Sequence, residues 1–142
     1  MKVVIDASVA VKWLFRWRAD ENHVAAALAP LRTVHDRRLS MLQPPHFVAE
    51  VAAVLARSAG AAADRALLDL LDIEMEVLAE TRLYRRAVGL SSRLAHHLFD
   101  TLYHAVALET PGAVLVTADE RYFRAAATEG SIARLSEFSI PA

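Results

Sequence analysis

The sequence contains no cysteine in its 142 residues. This absence excludes a disulfide scaffold, a zinc ribbon, an iron–sulfur site and a cysteine nucleophile. A chain of this length buries roughly two-thirds of its unfolded surface, so it needs no covalent cross-link to be stable. Because a domain commonly takes about 100–200 residues, we predict a single domain over residues 1–142.

Long apolar segments are also missing. No apolar run approaches the roughly 20 residues that cross a bilayer, because Pro30 and Glu50 interrupt the longest candidates. The first residues contain one lysine, Lys2, and a short apolar segment over residues 3–5, which is too little for a signal peptide. We therefore expect a soluble, unprocessed, cytoplasmic protein with no membrane partner.

Glycine and excess charge are scarce as well. None of the four glycines belongs to a loop that cradles phosphates, which argues against a nucleotide cofactor. Basic and acidic residues number 16 and 17, for a net charge of −1. Proteins that hold nucleic acid by bulk electrostatics are strongly basic, so any such contact here depends on local charge. The pairs Arg37-Arg38 and Arg85-Arg86 are candidates, with solvated surface as the alternative.

What the sequence does contain is a regular alternation of segments. Short β-branched segments are separated by longer segments with helical spacing of the apolar residues. The predicted strands cover residues 3–5, 39–43, 74–78, 113–116 and 131–134, and the predicted helices cover 47–55, 62–71, 81–98 and 101–109. This alternation predicts an α/β fold with a parallel sheet that is covered on both faces. Residues 3–5 and 113–116 lack polar alternation, so we expect these strands to be central.

Acidic residues follow both of these apolar strands. Asp6 comes directly after residues 3–5, and Asp119 comes two residues after Thr117 at the end of the later strand. Ligands of open parallel sheets bind outside the carboxyl ends of the strands, so these positions are candidate site residues. The alternative is that each acid only caps the helix that follows it.

Two further acids lie in predicted helices. Glu50 is surrounded by apolar residues in the most apolar helix of the chain, and burying a carboxylate is costly unless it is paired or binds a cation. The alternative places Glu50 at the helix edge, where it reaches water. Asp100 opens the segment 100–107 and has an N-cap role as its alternative. We expect the ring of Tyr103, in the same segment, to pack against the sheet.

Taken together, the four acids are typical of a cation site. Carboxylates that converge in a cleft repel one another and raise each other's pKa values, and a divalent cation relieves that repulsion. Hard oxygen ligands favour Mg²⁺ or Mn²⁺. Such a centre is suited to the hydrolysis of a phosphodiester.

The sequence around these acids resembles a known family. Residues 3–13 (VVIDASVAVKW), 44–51 (PPHFVAEV), 99–107 (FDTLYHAVA) and 115–119 (LVTAD) resemble the four acidic motifs of the PIN-domain ribonucleases. More narrowly, they are similar to the VapC toxins of bacterial toxin–antitoxin pairs. The four motifs occur in the family's order and extend over essentially the whole chain.

The resemblance implies a three-layer α/β/α sandwich with a central parallel sheet and Mg²⁺- or Mn²⁺-dependent endonucleolytic cleavage of RNA. In that family's pattern the acidic pocket and metal ligands of this chain are Asp6, Glu50, Asp100 and Asp119. Thr117 is expected to orient Asp119 or a water molecule, and Ser8 to cap the first helix. For the step that activates the attacking water, Glu50 and Asp119 remain open alternatives.

The resemblance also implies partners: an RNA substrate, a cognate VapB-type antitoxin and a second copy in a homodimer. The alternative function is a catalytically inactive PIN-fold module that binds RNA or protein, and metal binding distinguishes the two. Phosphotransfer folds of similar outline do not match, because Ser8 stands where a haloacid-dehalogenase-like phosphatase has its second aspartate. A receiver domain needs a lysine after a later strand, where this chain has Thr117 and Asp119.

Histidines beside the acidic motifs raise a further possibility. His96, Asp100 and His104 are four residues apart, as are His46 and Glu50, and one continuous helix would put such residues on one face for zinc. We expect instead a helix break before Asp100, which removes the alignment. His104 is then a candidate hydrogen-bond donor to a substrate phosphate.

Aromatic residues crowd the end of the first predicted helix. Trp13, Phe15 and Trp17 alternate with Arg16 and Arg18. Aromatic rings beside arginines stack bases in some proteins, and the resemblance favours an antitoxin or dimer surface at Phe15 or Trp17. The alternative for Trp13 is a place in the core.

Overall fold

A computed structural model describes residues 1–15 and 37–140. Its strands are β1 (Lys2–Ile5), β2 (Ser40–Gln43), β3 (Glu76–Val77), β4 (Ala113–Thr117) and β5 (Ile132–Arg134). All neighbouring strands are parallel, in the order β3-β2-β1-β4-β5. The predicted parallel sheet is therefore confirmed, with every predicted strand present.

The centre of the sheet is β1. Val3, Val4 and Ile5 have no exposed surface, because β2 and β4 flank the strand and helices cover both faces. The β1–β4 register aligns Ile5 with Val116, so the two strands end at the same edge of the sheet. The expected central position of these two strands is confirmed.

The described α-helices are α1 (Ala7–Leu14), α2 (Phe47–Ser58), α3 (Ala63–Leu71), α4 (Thr81–Leu94), α5 (Leu98–Leu108) and α6 (Glu120–Ala126). Helix α2 contacts both α1 and α3, while α4 packs against α5, and α5 also contacts β1 and β4. The arrangement is the expected α/β/α sandwich. None of the helices in the described ranges has the length and apolar character to span a membrane.

The boundary between α4 and α5 differs from the prediction. Helix α4 ends at Leu94, since Ala95 takes a left-handed conformation with φ 54°. Helix α5 begins at Leu98, and His97 is its N-cap, with Nδ1 accepting a hydrogen bond of 3.1 Å from the Phe99 amide. The expected break is present, but the N-cap alternative for Asp100 is wrong because this residue lies inside the first turn.

The aromatic residues of the first helix are buried where they are described. Trp13 is 1% and Phe15 2% exposed, so both belong to the core. Of the two residues expected at a docking surface, Phe15 or Trp17, burial excludes Phe15. Arg16, Trp17 and Arg18 lie outside the described residues.

Candidate active site

Asp6 is held in place at the carboxyl end of β1. Its amide donates a 3.0 Å hydrogen bond to the carbonyl of Val116. Its Oδ2 accepts hydrogen bonds from Ser8 Oγ at 2.6 Å and from Thr117 Oγ1 at 2.9 Å. Asp6 occupies the N-cap position of α1, but its side chain makes no cap hydrogen bond, so the alternative that the carboxylate only caps this helix is wrong.

Ser8 has a different role from the expected one. It lies inside α1, and its hydroxyl donates to Asp6 while accepting a 3.1 Å hydrogen bond from the Ala118 amide. Ser8 therefore joins the ends of β1 and β4 and does not cap the first helix. The expectation of a cap is wrong because the N-cap position belongs to Asp6, which puts Ser8 in the first turn of the helix.

Thr117 and Asp119 form the other side of the site. The Thr117 hydroxyl donates to Asp6 and accepts a 3.0 Å hydrogen bond from the Asp119 amide. Asp119 is the N-cap of α6, and its Oδ1 accepts a 3.0 Å hydrogen bond from the Tyr122 amide. The cap alternative for Asp119 is thus present in the structure. Thr117 lies between the two acids, and its expected orienting role stays a prediction.

Glu50 lies in the first turn of α2 with a side chain that is 28% exposed. Its Oε2 is buried and has no hydrogen-bond partner among the described residues. His46 Nε2 approaches this oxygen to 3.4 Å, but that nitrogen is 2.9 Å from the carbonyl of Phe99, which is its hydrogen-bond acceptor. Glu50 is therefore only partly solvated, which disfavours the alternative of a helix-edge residue that simply reaches water.

The electrostatics connect the four acids. Burial, with the charges of Asp100 and Asp119 adding to it, outweighs the Ser8 and Thr117 hydrogen bonds and raises the pKa of Asp6 to about 6. Burial, then Asp6 and Asp100, raises the pKa of Glu50 to about 7. The pKa of Asp100 is raised by burial and then by Asp119. The tertiary structure has therefore brought acids from four separate segments within electrostatic reach of one another.

The donor chemistry of this site fits a hard divalent cation. All four side chains offer carboxylate oxygens, and the unpartnered Oε2 of Glu50 is an orphaned buried acceptor of the kind a cation satisfies. Within residues 1–15 and 37–140, however, no three His, Asp or Glu side chains are already arranged to hold a metal ion. The chemistry is present, while the coordination geometry is not preformed.

Two polar residues near these acids were not singled out from the sequence as site residues. The Tyr103 hydroxyl is buried and without a hydrogen-bond partner, and burial, then Glu50, Asp6 and Asp100, raises its pKa. Its ring is buried as expected, but the hydroxyl lies beside the carboxylates. Gln43 ends β2, is fully buried and donates a 3.0 Å hydrogen bond to the carbonyl of Ile5. A polar residue that ends an apolar strand was the signal available for Gln43.

Of the two histidine predictions, burial contradicts the one for His104, and the helix break confirms the one for His96. His104 has no exposed surface, and its two ring nitrogens lie 2.9 Å from Tyr122 Oη and 2.7 Å from the carbonyl of Gly130. A contact between His104 and a substrate phosphate is therefore wrong. His96 lies between α4 and α5, so it does not share a helix face with Asp100 and His104, as expected from the helix break.

The arginine pairs differ in how much of their charge is free for contact with RNA. Arg86 approaches Glu109 to 3.6 Å, which neutralises part of its charge. Arg85 is exposed on α4. Arg37 takes a left-handed conformation, with φ 60°. Contact of these residues with RNA stays a prediction.

Comparison with known proteins shows the family of this chain. The PIN domain family model matches residues 3–128. The chain is 38% identical over 132 residues to Ribonuclease VapC3 of Mycobacterium tuberculosis (strain CDC 1551 / Oshkosh), and the alignment covers 87% of each protein.

Solved structures share the fold at low sequence identity. The crystal structure of VapBC2 from Rickettsia felis, bound to a DNA fragment from their promoter, matches with a TM-score of 0.66 and 14% identity over 94% of this chain and 98% of that one. The structure of VapBC-1 from nontypeable Haemophilus influenzae matches with a TM-score of 0.64 and 14% identity over 96% and 100% of the two chains. Family model, sequence relative and fold agree, and the chain belongs to the PIN-domain family, in its VapC group.

Proposed function

We propose that this protein is a Mg²⁺- or Mn²⁺-dependent endoribonuclease and the toxin of a VapBC-like toxin–antitoxin pair. The observation that carries the proposal is that Asp6, Glu50, Asp100 and Asp119 lie within electrostatic reach of one another, with burial and then neighbouring acids raising the pKa values of Asp6, Glu50 and Asp100. A site that raises the pKa of several acids gains most from a bound cation. The VapC3 relative, named a ribonuclease, supports the same reaction class.

The site residues divide into fixed and adjustable ligands. Asp6 is immobilised by two hydroxyl donors, Ser8 and Thr117, so its carboxylate is held before any cation arrives. Asp100 and Glu50 lie in first turns of helices, where rotation about side-chain bonds lets them close on a cation. When bound, the cation would neutralise phosphodiester charge and make a water molecule more acidic.

Glu50 is the better candidate for the proton acceptor. Its Oε2 has no hydrogen-bond partner in the described structure, so this oxygen can accept a proton without giving up another contact. Asp119 commits Oδ1 to the Tyr122 amide. Of the two alternatives left open by the sequence, the geometry favours Glu50 as the group that takes the proton from water during in-line attack on RNA.

The proposed partners follow from the relatives. Two solved structures with this fold are VapBC proteins, which supports a VapB-type antitoxin for this chain. Homodimerisation and a cytoplasmic location belong to the same proposal.

One observation favours the alternative of an inactive PIN-fold module, because the described residues hold no preformed group of three metal ligands.

A cleavage assay separates the two functions. Purified, antitoxin-free protein is incubated with total cellular RNA in Mg²⁺ or Mn²⁺, and in parallel with EDTA. We expect discrete fragments that disappear with EDTA and in Asp100→Asn, while Asp72→Asn, an exposed aspartate beyond α3, cleaves like the wild type. Intact RNA under every condition, together with no Mn²⁺ binding by calorimetry, would support the inactive module.

A further inference from the structure

His104 occupies an unusual place for a histidine. It lies on α5 one turn after Asp100 and has no exposed surface. The Gly130 carbonyl, 2.7 Å from Nε2, can only accept a hydrogen bond, so Nε2 carries the proton. Nδ1 is then the acceptor, and the Tyr122 hydroxyl, at 2.9 Å, donates to it. Burial lowers the pKa of His104, in keeping with a neutral ring.

Tyr122 also makes a hydrogen bond on the other side of the site, through its backbone. It lies in α6, is 2% exposed and packs edge-on against the ring of His96 at 5.2 Å. Its backbone amide donates to Asp119 Oδ1 at 3.0 Å. One residue therefore binds the Asp100 helix through its side chain and the Asp119 carboxylate through its backbone.

We infer that His104 and Tyr122 are positioning residues that set the separation of the Asp100 and Asp119 carboxylates. The inference rests on the proposed function, because this separation matters only if the acids share a cation. The Tyr122 hydroxyl binds His104 on the helix that carries Asp100, and the Tyr122 backbone amide binds Asp119, so this residue fixes how the first turn of α6 lies relative to α5. The pair differs from an ordinary core contact because Tyr122, which its hydroxyl anchors to α5, also supplies the backbone amide that binds Asp119 Oδ1.

The expected size of the effect follows from metal sites in general. Groups that orient a ligand without touching the metal commonly change metal affinity or activity by about 10–100-fold when removed. Asp100 and Asp119 also repel each other, so a small change in their separation alters both the repulsion and the affinity for the cation.

Two variants remove the bond in different ways. Tyr122→Phe keeps the buried ring and removes only the hydroxyl. His104→Leu has no acceptor for the Tyr122 hydroxyl and no donor for the Gly130 carbonyl, and it keeps an apolar side chain in this buried place. Tyr84→Phe, an exposed tyrosine on α4, is the matched control for loss of a hydroxyl.

The experiment measures Mn²⁺ affinity by calorimetry, RNA cleavage kinetics and amide hydrogen exchange in the metal-free protein. We expect both variants to bind Mn²⁺ about tenfold or more weakly, with a lower kcat and an unchanged KM for RNA. The backbone amide of residue 122 should exchange faster, because the first turn of α6 is no longer anchored to α5. Tyr84→Phe should match the wild type in all three measurements.

Folded variants with wild-type Mn²⁺ affinity and wild-type exchange at Tyr122 would overturn the inference. Loss of the fold in both variants would overturn it too, since the pair would then serve the core and not the spacing. If the wild type neither binds Mn²⁺ nor cleaves RNA, the proposed function fails. Amide exchange then decides the positioning role alone: faster exchange in both variants supports it, and unchanged exchange overturns it.

Discussion

The hydroxyl of Thr117 donates a 2.9 Å hydrogen bond to Oδ2 of Asp6, across 111 positions of the sequence. The parallel pairing of β1 with β4 makes this contact, since it ends both strands at the same edge. Thr117 is 1% exposed, so its hydroxyl has little access to water as an alternative partner. This one contact links the sheet topology to the acidic site.

Thr117→Val tests that link because it keeps the shape and removes the hydroxyl. Asp6 loses a donor and the Asp119 amide loses its acceptor, so we expect a stability loss of about 1–3 kcal/mol. Urea unfolding measures this loss, and calorimetry should show weaker Mn²⁺ binding. Thr101→Val is the control, as it removes a buried hydroxyl that donates to the Ala87 carbonyl. Equal Mn²⁺ affinity in the wild type and Thr117→Val would contradict the prediction.

Glu50→Gln tests the raised pKa of Glu50 in metal-free protein. The folded-state pKa of about 7 exceeds the ordinary value of 4.5, so the wild type loses stability as pH rises through this window, while below about 4.5 both states are protonated. The variant lacks this loss. At about 1.4 kcal/mol per pKa unit, we expect Glu50→Gln to gain on the order of 2 kcal/mol relative to the wild type between pH 5 and 8.

Urea unfolding at several pH values measures this difference. Glu76→Gln, on the exposed edge strand β3, is the control and should follow the wild type at every pH. A constant difference between Glu50→Gln and the wild type from pH 5 to 8 would refute the prediction.

Tyr103→Phe removes a buried hydroxyl that has no partner in the described structure. Since an unsatisfied buried polar group is costly, we expect the variant to be as stable as the wild type or up to about 1 kcal/mol more stable. Tyr122→Phe is the contrast, because its hydroxyl is paired with His104 and its loss should destabilise the protein. Thermal unfolding compares the two. A clear loss of stability in Tyr103→Phe would show that this hydroxyl is satisfied in solution.

Asp6→Asn separates a site carboxylate from a structural one. Without metal we expect the variant to fold with equal or higher stability at pH 8. Burial raises the pKa of the Asp6 carboxyl to about 6, so its ionised form is costly in the folded protein and the variant avoids this cost. Added Mn²⁺ should raise the Tm of the wild type. At a Mn²⁺ concentration of one hundred times Kd, the expected stabilisation free energy is about 2.7 kcal/mol, and it should be smaller for Asp6→Asn. A large drop in the Tm of metal-free Asp6→Asn would make the carboxylate structural.

Several features of the molecule were predictable because they depend on short segments. Uniformly apolar, β-branched residues 3–5 and 113–116 indicate buried parallel strands, and an acid directly after such a strand must lie at the edge where ligands bind. The order of the four acidic motifs was enough to indicate the PIN-domain family. The fold class, the strands and the candidate acids therefore needed no three-dimensional information.

The helix boundary near Asp100 was not predictable in the same way. The segment 81–98 has helical spacing throughout, but Ala95 adopts a left-handed conformation that alanine rarely favours locally. Packing of α4 against α5, with Thr101 bonded to the carbonyl of Ala87, accompanies this turn. The helix consequently starts at Leu98, and Asp100 lies in its first turn and not at the cap.

The sequence by itself determined the strand–helix order, the family and the choice of four candidate acids, because each follows from local pattern. Only the tertiary structure decided which groups hold those acids. The partners of Asp6 come from both β4 and α1, the pKa of Glu50 depends on burial and on distant charges, and His104 faces Tyr122 and not solvent. Hydrogen bonding, desolvation and charge repulsion depend on distances in space, which spacing along the chain does not specify.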